Sequence, residues 1–376
     1  MNFAFDEDQE ALRDSARRLL ADQVTSEHVR TVAEADHGFD PDLWTELATE
    51  MGWAAIAIPE EYDGLGLGWI EVVALMEEMG RVLLPSPFLS SACLAGTAIL
   101  EAGTEEQRQR WLPLLAAGEL TATLAHAEPS TGWDATTPGL SATPDGDGWR
   151  LSGRKRFVLD GHTAGLLLVT ARGPDGQIGI AAVDPDQPGI QRERIKTMDR
   201  TRANAEIRLE EVRVGNEDIL GGHHTDASEA LRRTLEHGAA ALAAEQVGAA
   251  QWCLDTTVEY AKVRKQFGRA IGSFQAVKHK CADMFALVES ARSAAWYAGW
   301  AATQGGDEAS RAAHTAAATA TEALWHCAAE AIQIHGGIGF TWEHDAHLYL
   351  KRARADVALL GTPAWHRERY LRIPAV

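Results

Sequence analysis

Residues 333–353 read QIHGGIGFTWEHDAHLYLKRA. The stretch follows a long alanine-rich segment whose high helix propensity predicts a helix over 307–334. It then sets Gly336 beside Gly337, with Gly339 close behind. Two readings of that pair are compatible. A backbone without Cβ atoms can approach a phosphate and turn its N–H groups toward it, and glycine is also the commonest terminator of a helix.

Working back from this point, the helical period covers 226–263 and 273–303 as well. In the second of these, Phe274, Val277, Cys281, Met284, Val288 and Ala291 form one stripe, with Ser273 as the expected N-cap and QGGD as the end. A four-helix bundle over 226–376 is the natural package. Over 121–225 the texture changes to short alternating or apolar runs, LSGRKRFVLDG, LLLVTAR, IGIAAVD and NAEIRLEEVRV. Hairpin connections are expected at PDGDG (144–148) and GPDG (173–176), giving a small antiparallel sandwich or barrel. Residues 1–120 are again helical, with Leu12, Ala16, Leu19 and Leu20 at spacings of three and four. IPEEYDGLGLG, between two of these helices, has neither the spacing nor the preceding strand of a nucleotide loop and reads as a glycine-rich turn. The expected class is α+β in three parts: an N-terminal helical domain (1–120), a middle antiparallel β domain (121–225) and a C-terminal helical bundle (226–376).

The chain has 376 residues, 45% of them hydrophobic, and a formal net charge of -19. Such a charge opposes binding to nucleic acid or an anionic membrane, so a phosphate-bearing ligand needs a local cationic site. No basic leader and no run of eighteen apolar residues is present, which predicts a soluble, cytoplasmic protein. Cys93, Cys253, Cys281 and Cys327 are far apart and form no CxxC pair, as expected of buried thiols in a reducing compartment. His344 and His347 flank Asp345 on an expected helix, but no further ligand cluster accompanies them. A solvated or subunit-packing face is the reading, and no metal is expected. No GxSxG, P-loop or Ser/His/Asp arrangement is present. Arg264 offers a fixed fork of donors suited to a pyrophosphate; Gln266 adds an amide and Phe267 an apolar face. Its alternative is a solvated charge near a helix end.

The chain resembles the acyl-CoA dehydrogenase family nearly end to end. The likeness lies in MGWAAIAIPEEYDGLGLG followed by EEMGR, GTEEQRQRWLPLLAAGE, AEPSTGWD, VRVGNEDILGG, YAKVRKQFGRAIGSFQAVKHKCADM and the opening stretch. The resemblance implies an FAD lying between the β domain of one subunit and the C-terminal helices of its neighbour. It makes Arg264, Gln266, Phe267, Gln333, Gly336 and Gly337 the holders of the ADP portion. His335, between them, reads as a packing residue rather than a catalyst, as histidines commonly sit partly buried without a role.

In this family a glutamate removes the α-proton of an acyl-CoA thioester and the β-hydride passes to flavin. At the two places where that glutamate usually stands, this chain aligns Leu360, in ALLGT, and Gly238, in LEHGAAA. Neither can accept a proton, and the catalytic residue is therefore unassigned. Glu245, two helical turns beyond Gly238, is a displaced candidate whose alternative is a buried or paired carboxylate. The flavin-ring side departs too. Ala127, Glu128 and Pro129, then Gly132, Trp133 and Asp134, stand where the family has TEP and GSD. Phe157, Val158 and Leu159 stand where it has a WIT-like strand. The resemblance, closest in wording to bacterial steroid side-chain enzymes, implies a bulky acyl-CoA substrate and an electron-transfer flavoprotein as acceptor. Three roles follow: one subunit of an α2β2 heterotetramer with a homologous partner chain, a self-sufficient homotetramer, or a flavin-free acyl-CoA-binding or interaction module.

Overall fold

In the computed structural model, which describes residues 5–128, 132–134 and 138–374, the alanine-rich segment is one helix, Gly306–His335. The principal helices in chain order are α1 (Glu7–Gln23), α2 (Ser26–Glu34), α3 (Trp69–Arg81), α4 (Glu105–Ala116), α5 (Ser228–Val263), α6 (Gln275–Gln304), α7 (Gly306–His335), α8 (Ala346–Asp356) and α9 (Pro363–Arg372). Among the described residues no helix is long and apolar enough to cross a membrane. All four cysteines are free thiols, with Cys281 half-buried and the others buried.

The chain forms two compact units. One comprises the chain up to Thr31, Trp69–Leu84 and Ala239 onward. Its core, around Leu83, Cys253, Met284, Val288, Leu324 and Tyr349, joins α5, α6, α7 and α8. Small residues set the helix spacing. A Cβ on Gly80 would meet the Glu245 carbonyl oxygen at 1.9 Å, and one on Gly248 would meet that of Glu77 at 1.8 Å, so α3 and α5 cross backbone to backbone. Beside this crossing the buried Glu77 carboxylate accepts from Arg292 Nε (3.0 Å) and Trp296 Nε1 (2.8 Å).

The predicted start of α6 needs correcting. Ser273 lies in a 3₁₀ turn and its hydroxyl donates to the Ala270 carbonyl, while Phe274, in extended backbone, precedes the helix without a side-chain cap. The hydroxyl is consumed by the turn before the helix begins.

The other unit comprises Val32–Gly68 and Pro85–Gly238. Its seven-stranded sheet contains β1 (Ala122–Ala125), β2 (Ser141–Asp145), β3 (Gly148–Leu159), β4 (Leu166–Arg172), β5 (Ile178–Val183), β6 (Ile190–Arg194) and β7 (Asn204–Val214). The β2–β3 and β4–β5 hairpins form at the expected turns. β1 joins β4 in parallel, with Ala122 opposite Leu166. The alternation of β7 buries Ala205, Ile207, Leu209, Val212 and Val214 in the sheet core with Trp149 and Leu151. IPEEYDGLGLG folds back as a turn in which the Gly66 N–H donates to the Ile58 carbonyl (2.9 Å). A Cβ on Gly64 would strike that same oxygen.

Candidate functional site

Helix α5 ends where Arg264 closes the last turn, its N–H donating to the Tyr260 carbonyl (2.9 Å). The chain then doubles back as a two-stranded ribbon, β8 (Lys265–Gln266) against β9 (Arg269–Ala270). Phe267 (φ 53°) and Gly268 (φ 77°) form its tip, two successive left-handed residues as a tight hairpin turn requires. Phe267 is 91% exposed, its ring meeting Phe274 edge-on at 6.1 Å. Arg264 and Gln266 are exposed as well. The Gln266 amide donates to the Lys265 carbonyl, while Arg264 has no ion pair among the described residues.

Helix α7 ends at His335, and Gly336 donates its N–H to the Ile332 carbonyl and leaves the helix at a positive φ (+64°) that glycine adopts without strain. A Cβ on Gly336 or Gly337 would meet nothing within 4 Å, so the space beside this backbone is open; Gln333 and both glycines are exposed. His335 is buried, donates from Nδ1 to the Ala331 carbonyl (2.7 Å), and stacks on Tyr260 with centroids 4.4 Å apart. This is a packing role, and it ties the two helix ends together. Tyr260 precedes Arg264 by one turn and His335 precedes Gly336 directly. The structure thus brings Arg264, Gln266 and Phe267 to the same end of the bundle as Gln333, Gly336 and Gly337. An unpaired guanidinium, exposed amides and an open glycine backbone form a donor set that fits a dinucleotide diphosphate.

His344 and His347 do not share the one helix face, solvated or subunit-packing, that the sequence suggests. α8 begins only at Ala346; His344 lies in the preceding turn and accepts the Ala346 N–H at Nδ1 (3.1 Å). His347 is 7% exposed, held neutral by burial and by nearby Lys351 and Arg30, which push it down to about 4. Among the described residues no group of three or more His, Cys, Asp or Glu is arranged to hold a metal ion.

At the first base position Leu360 is 2% exposed with φ 58°, a strained conformation for a side chain of this kind. At the second, Gly238 is buried within α5. Glu245 is 5% exposed, and its Oε1 accepts from Nη1 of Arg352, itself 1% exposed, at 2.5 Å. The displaced candidate is a buried, paired carboxylate.

On the β-domain face, Pro129 lies outside the described residues; Ala127 is buried and Trp133 half-buried, its ring 6.1 Å from that of His126. Phe157 is 46% exposed at φ 56°, on the bulge of β3 between Lys155 and Val158, while Val158 and Leu159 are buried. The Ala127 carbonyl accepts from the Arg156 N–H (2.9 Å), which joins this loop to β3. Beneath it lies a buried network that the sequence reading missed. The Lys155 ammonium, fully buried, donates to the Glu128 carboxylate, the Thr170 hydroxyl (3.1 Å) and the His126 carbonyl (3.3 Å). Glu128 in turn accepts the Gly139 and Leu140 N–H groups (2.9 and 3.0 Å). Burial lowers Lys155 to about 8 against the opposing pull of Glu128. Burial, aided by Lys155, lowers His126 to about 3. Lys155 keeps the inward parity of Trp149 and Leu151, and the bulge follows it, so the alternation carried the signal that the charged run GRKRF masks.

Comparison with known proteins gives matches along the whole chain. Residues 6–119, 123–212 and 228–373 match the acyl-CoA dehydrogenase N-terminal, middle and C-terminal domains. The acyl-CoA dehydrogenase IpdE2 of Mycolicibacterium smegmatis is 35% identical over 373 residues, 98% of each chain. Among solved structures, the Tcur3481–Tcur3483 steroid ACAD superposes with a TM-score of 0.88 at 37% identity, covering 98% of this chain and 97% of that one. The ChsE4–ChsE5 complex of Mycobacterium tuberculosis gives 0.89 at 29% identity over 100% of each.

Proposed function

Because the chain belongs to the acyl-CoA dehydrogenase family, FAD-dependent oxidoreductases acting on the CH–CH bond of acyl-CoA, we propose that it is the base-lacking subunit of a heteromeric enzyme. It lends Arg264, Gln266, Gln333, Gly336 and Gly337 to the ADP portion of an FAD whose ring and substrate rest in a homologous partner chain. Bound there, FAD supplies the acceptor for the hydride leaving the β-carbon. The work of this chain's residues is to bind and orient: the Arg264 guanidinium faces the diphosphate and the open backbone at Gly336 and Gly337 admits it closely. The α-proton goes to a glutamate of the partner. A positioned base is typically worth ~10²- to 10⁴-fold in rate, and Leu360 and Gly238 provide none.

The observation that carries this reading is the contrast between the two halves of the site. The clamp side is exposed and its Arg264 carries no ion pair among the described residues, whereas both base positions are apolar or bare and the displaced candidate, Glu245, is engaged by Arg352. The likeness to the Tcur3481–Tcur3483 steroid ACAD supports a bulky, steroid-like acyl-CoA substrate, and the likeness to the ChsE4–ChsE5 complex supports an assembly of unlike chains, which we take to be α2β2. A cytoplasmic location and an electron-transfer flavoprotein as acceptor complete the proposal. The chain expressed alone is then expected to turn over no acyl-CoA with an artificial electron acceptor, and to do so only when co-purified with the partner. Robust turnover by the homogeneous chain would overturn it.

A further inference from the structure

Trp342 is 70% exposed, yet its ring is fixed from three directions. The Lys351 ammonium lies over it at 4.5 Å and the Arg30 guanidinium at 5.8 Å. Arg30 is itself anchored by Asp345 (2.6 Å) and by Ser26 (3.2 Å). The third support is His347, whose ring meets the indole edge-on at 4.8 Å and 74°. Neither nitrogen of His347 has a hydrogen-bond partner among the described residues, although the residue is 7% exposed. An N–H left facing an indole is a weak substitute for a hydrogen bond. The chain alone gains little from an exposed aromatic ring held in place at the cost of a buried imidazole without a proper partner.

The position of the ring suggests what completes it. Trp342 follows Gly336–Phe340 in the same tight turn, where Thr341 donates its N–H and hydroxyl to the Ile338 carbonyl (3.1 and 2.9 Å). Trp342 stands five residues beyond Gly337, and the segment is tied back to the same helix end, where the His344 ring lies 4.3 Å from that of His335. Among the clamp residues only Phe267, at the tip of the β8–β9 ribbon, offers the purine a planar apolar face, and Gln333, Gly336 and Gly337 offer none from the other side. We propose that Trp342 is the stacking platform for the adenine of the clamped dinucleotide, with Lys351 and Arg30 holding the indole in place and adding positive potential beside the diphosphate. Stacking of a base on an aromatic ring, with cations in contact, is tolerant of sequence and strong enough to matter. The inference rests on the clamp reading of Arg264 and Gly336.

The test uses the purified assembly, stripped of flavin, and measures rebinding of FAD and its competition by ADP, with size-exclusion chromatography alongside. Trp342→Ala is expected to weaken FAD and ADP about tenfold each, Trp342→Phe to retain most of the affinity, and neither to disturb the assembly. Unchanged affinity for both ligands in Trp342→Ala would overturn the proposal, and so would dissociation of the subunits, which would make Trp342 a protein–protein anchor. Arg264→Ala separates the two levels. If it weakens ADP while Trp342→Ala does not, the clamp stands and only the platform falls. If neither weakens ADP, the clamp reading falls with it.

Discussion

Replacing Glu245 with Gln removes one charge from a pair that is buried on both sides, 5% and 1% exposed, with Oε1 and Nη1 2.5 Å apart. At ~4 Å between charge centres and an effective dielectric of ~20, the attraction is ~4 kcal/mol. Much of it offsets desolvation, so the pair itself contributes little, but removing one member leaves the other charge buried and costs ~3–5 kcal/mol. The amide preserves shape, which confines the loss to electrostatics. We therefore expect Glu245→Gln and Arg352→Met each to lower the first urea transition by the equivalent of ~3 kcal/mol or more. The double variant Glu245→Leu/Arg352→Met should be less destabilised than either single change, a coupling read from the thermodynamic cycle. Once the assembled enzyme is saturated with flavin, its turnover at a temperature where the variant is folded should be unchanged. A loss of stability below ~1 kcal/mol combined with abolished turnover would refute the reasoning and make Glu245 the catalytic base.

Arg264→Ala should weaken FAD retention by the assembly by ~1.5–3 kcal/mol, the worth of a hydrogen bond to a charged group, whereas Trp133→Ser should scarcely change it; equilibrium dialysis of the flavin distinguishes the two. Leu360→Glu alone should not produce an acyl-CoA dehydrogenase from the isolated chain, because Ala127, Trp133 and Leu159 still lack the ring-side contacts of the family; single-turnover bleaching of added FAD by acyl-CoA checks it. Acid should unfold the chain in a defined window. His126 and His366 have folded values lowered to about 3 by burial, so the native state binds fewer protons than the unfolded one between pH ~6.5 and ~3. Stability is present in full above pH ~6.5 and is lost as pH falls through that window, which a pH series of thermal melts would show as a falling midpoint that His366→Phe makes shallower.

The helices were legible because their period is long and their ends carry glycine: QGGD closes α6 and His335–Gly336 closes α7. The clamp was legible for the same reason, since its residues sit at those helix ends and at a hairpin marked by FG. Ser273 misled because a hydroxyl near a helix start serves a cap or a preceding turn equally well, and here the Ala270 carbonyl takes it. His344 and His347 looked like one face only while the helix was assumed to begin before them; with Asp345 preceding Ala346, one histidine falls in the turn and the other goes inward. The support of Trp342 by Arg30 and the Glu128–Lys155 network join residues distant in sequence or hidden in a charged run. No local pattern encodes such contacts, because they arise only when the elements pack.

The central claim is that this chain holds the ADP half of a flavin whose other half belongs to a different polypeptide. Flavin content per chain in the purified native assembly, measured by absorbance after denaturation together with subunit composition, tests it most directly. Two unlike, homologous chains in equal number and one FAD per unlike pair are expected. A homotetramer of this chain with one FAD on every copy would contradict it.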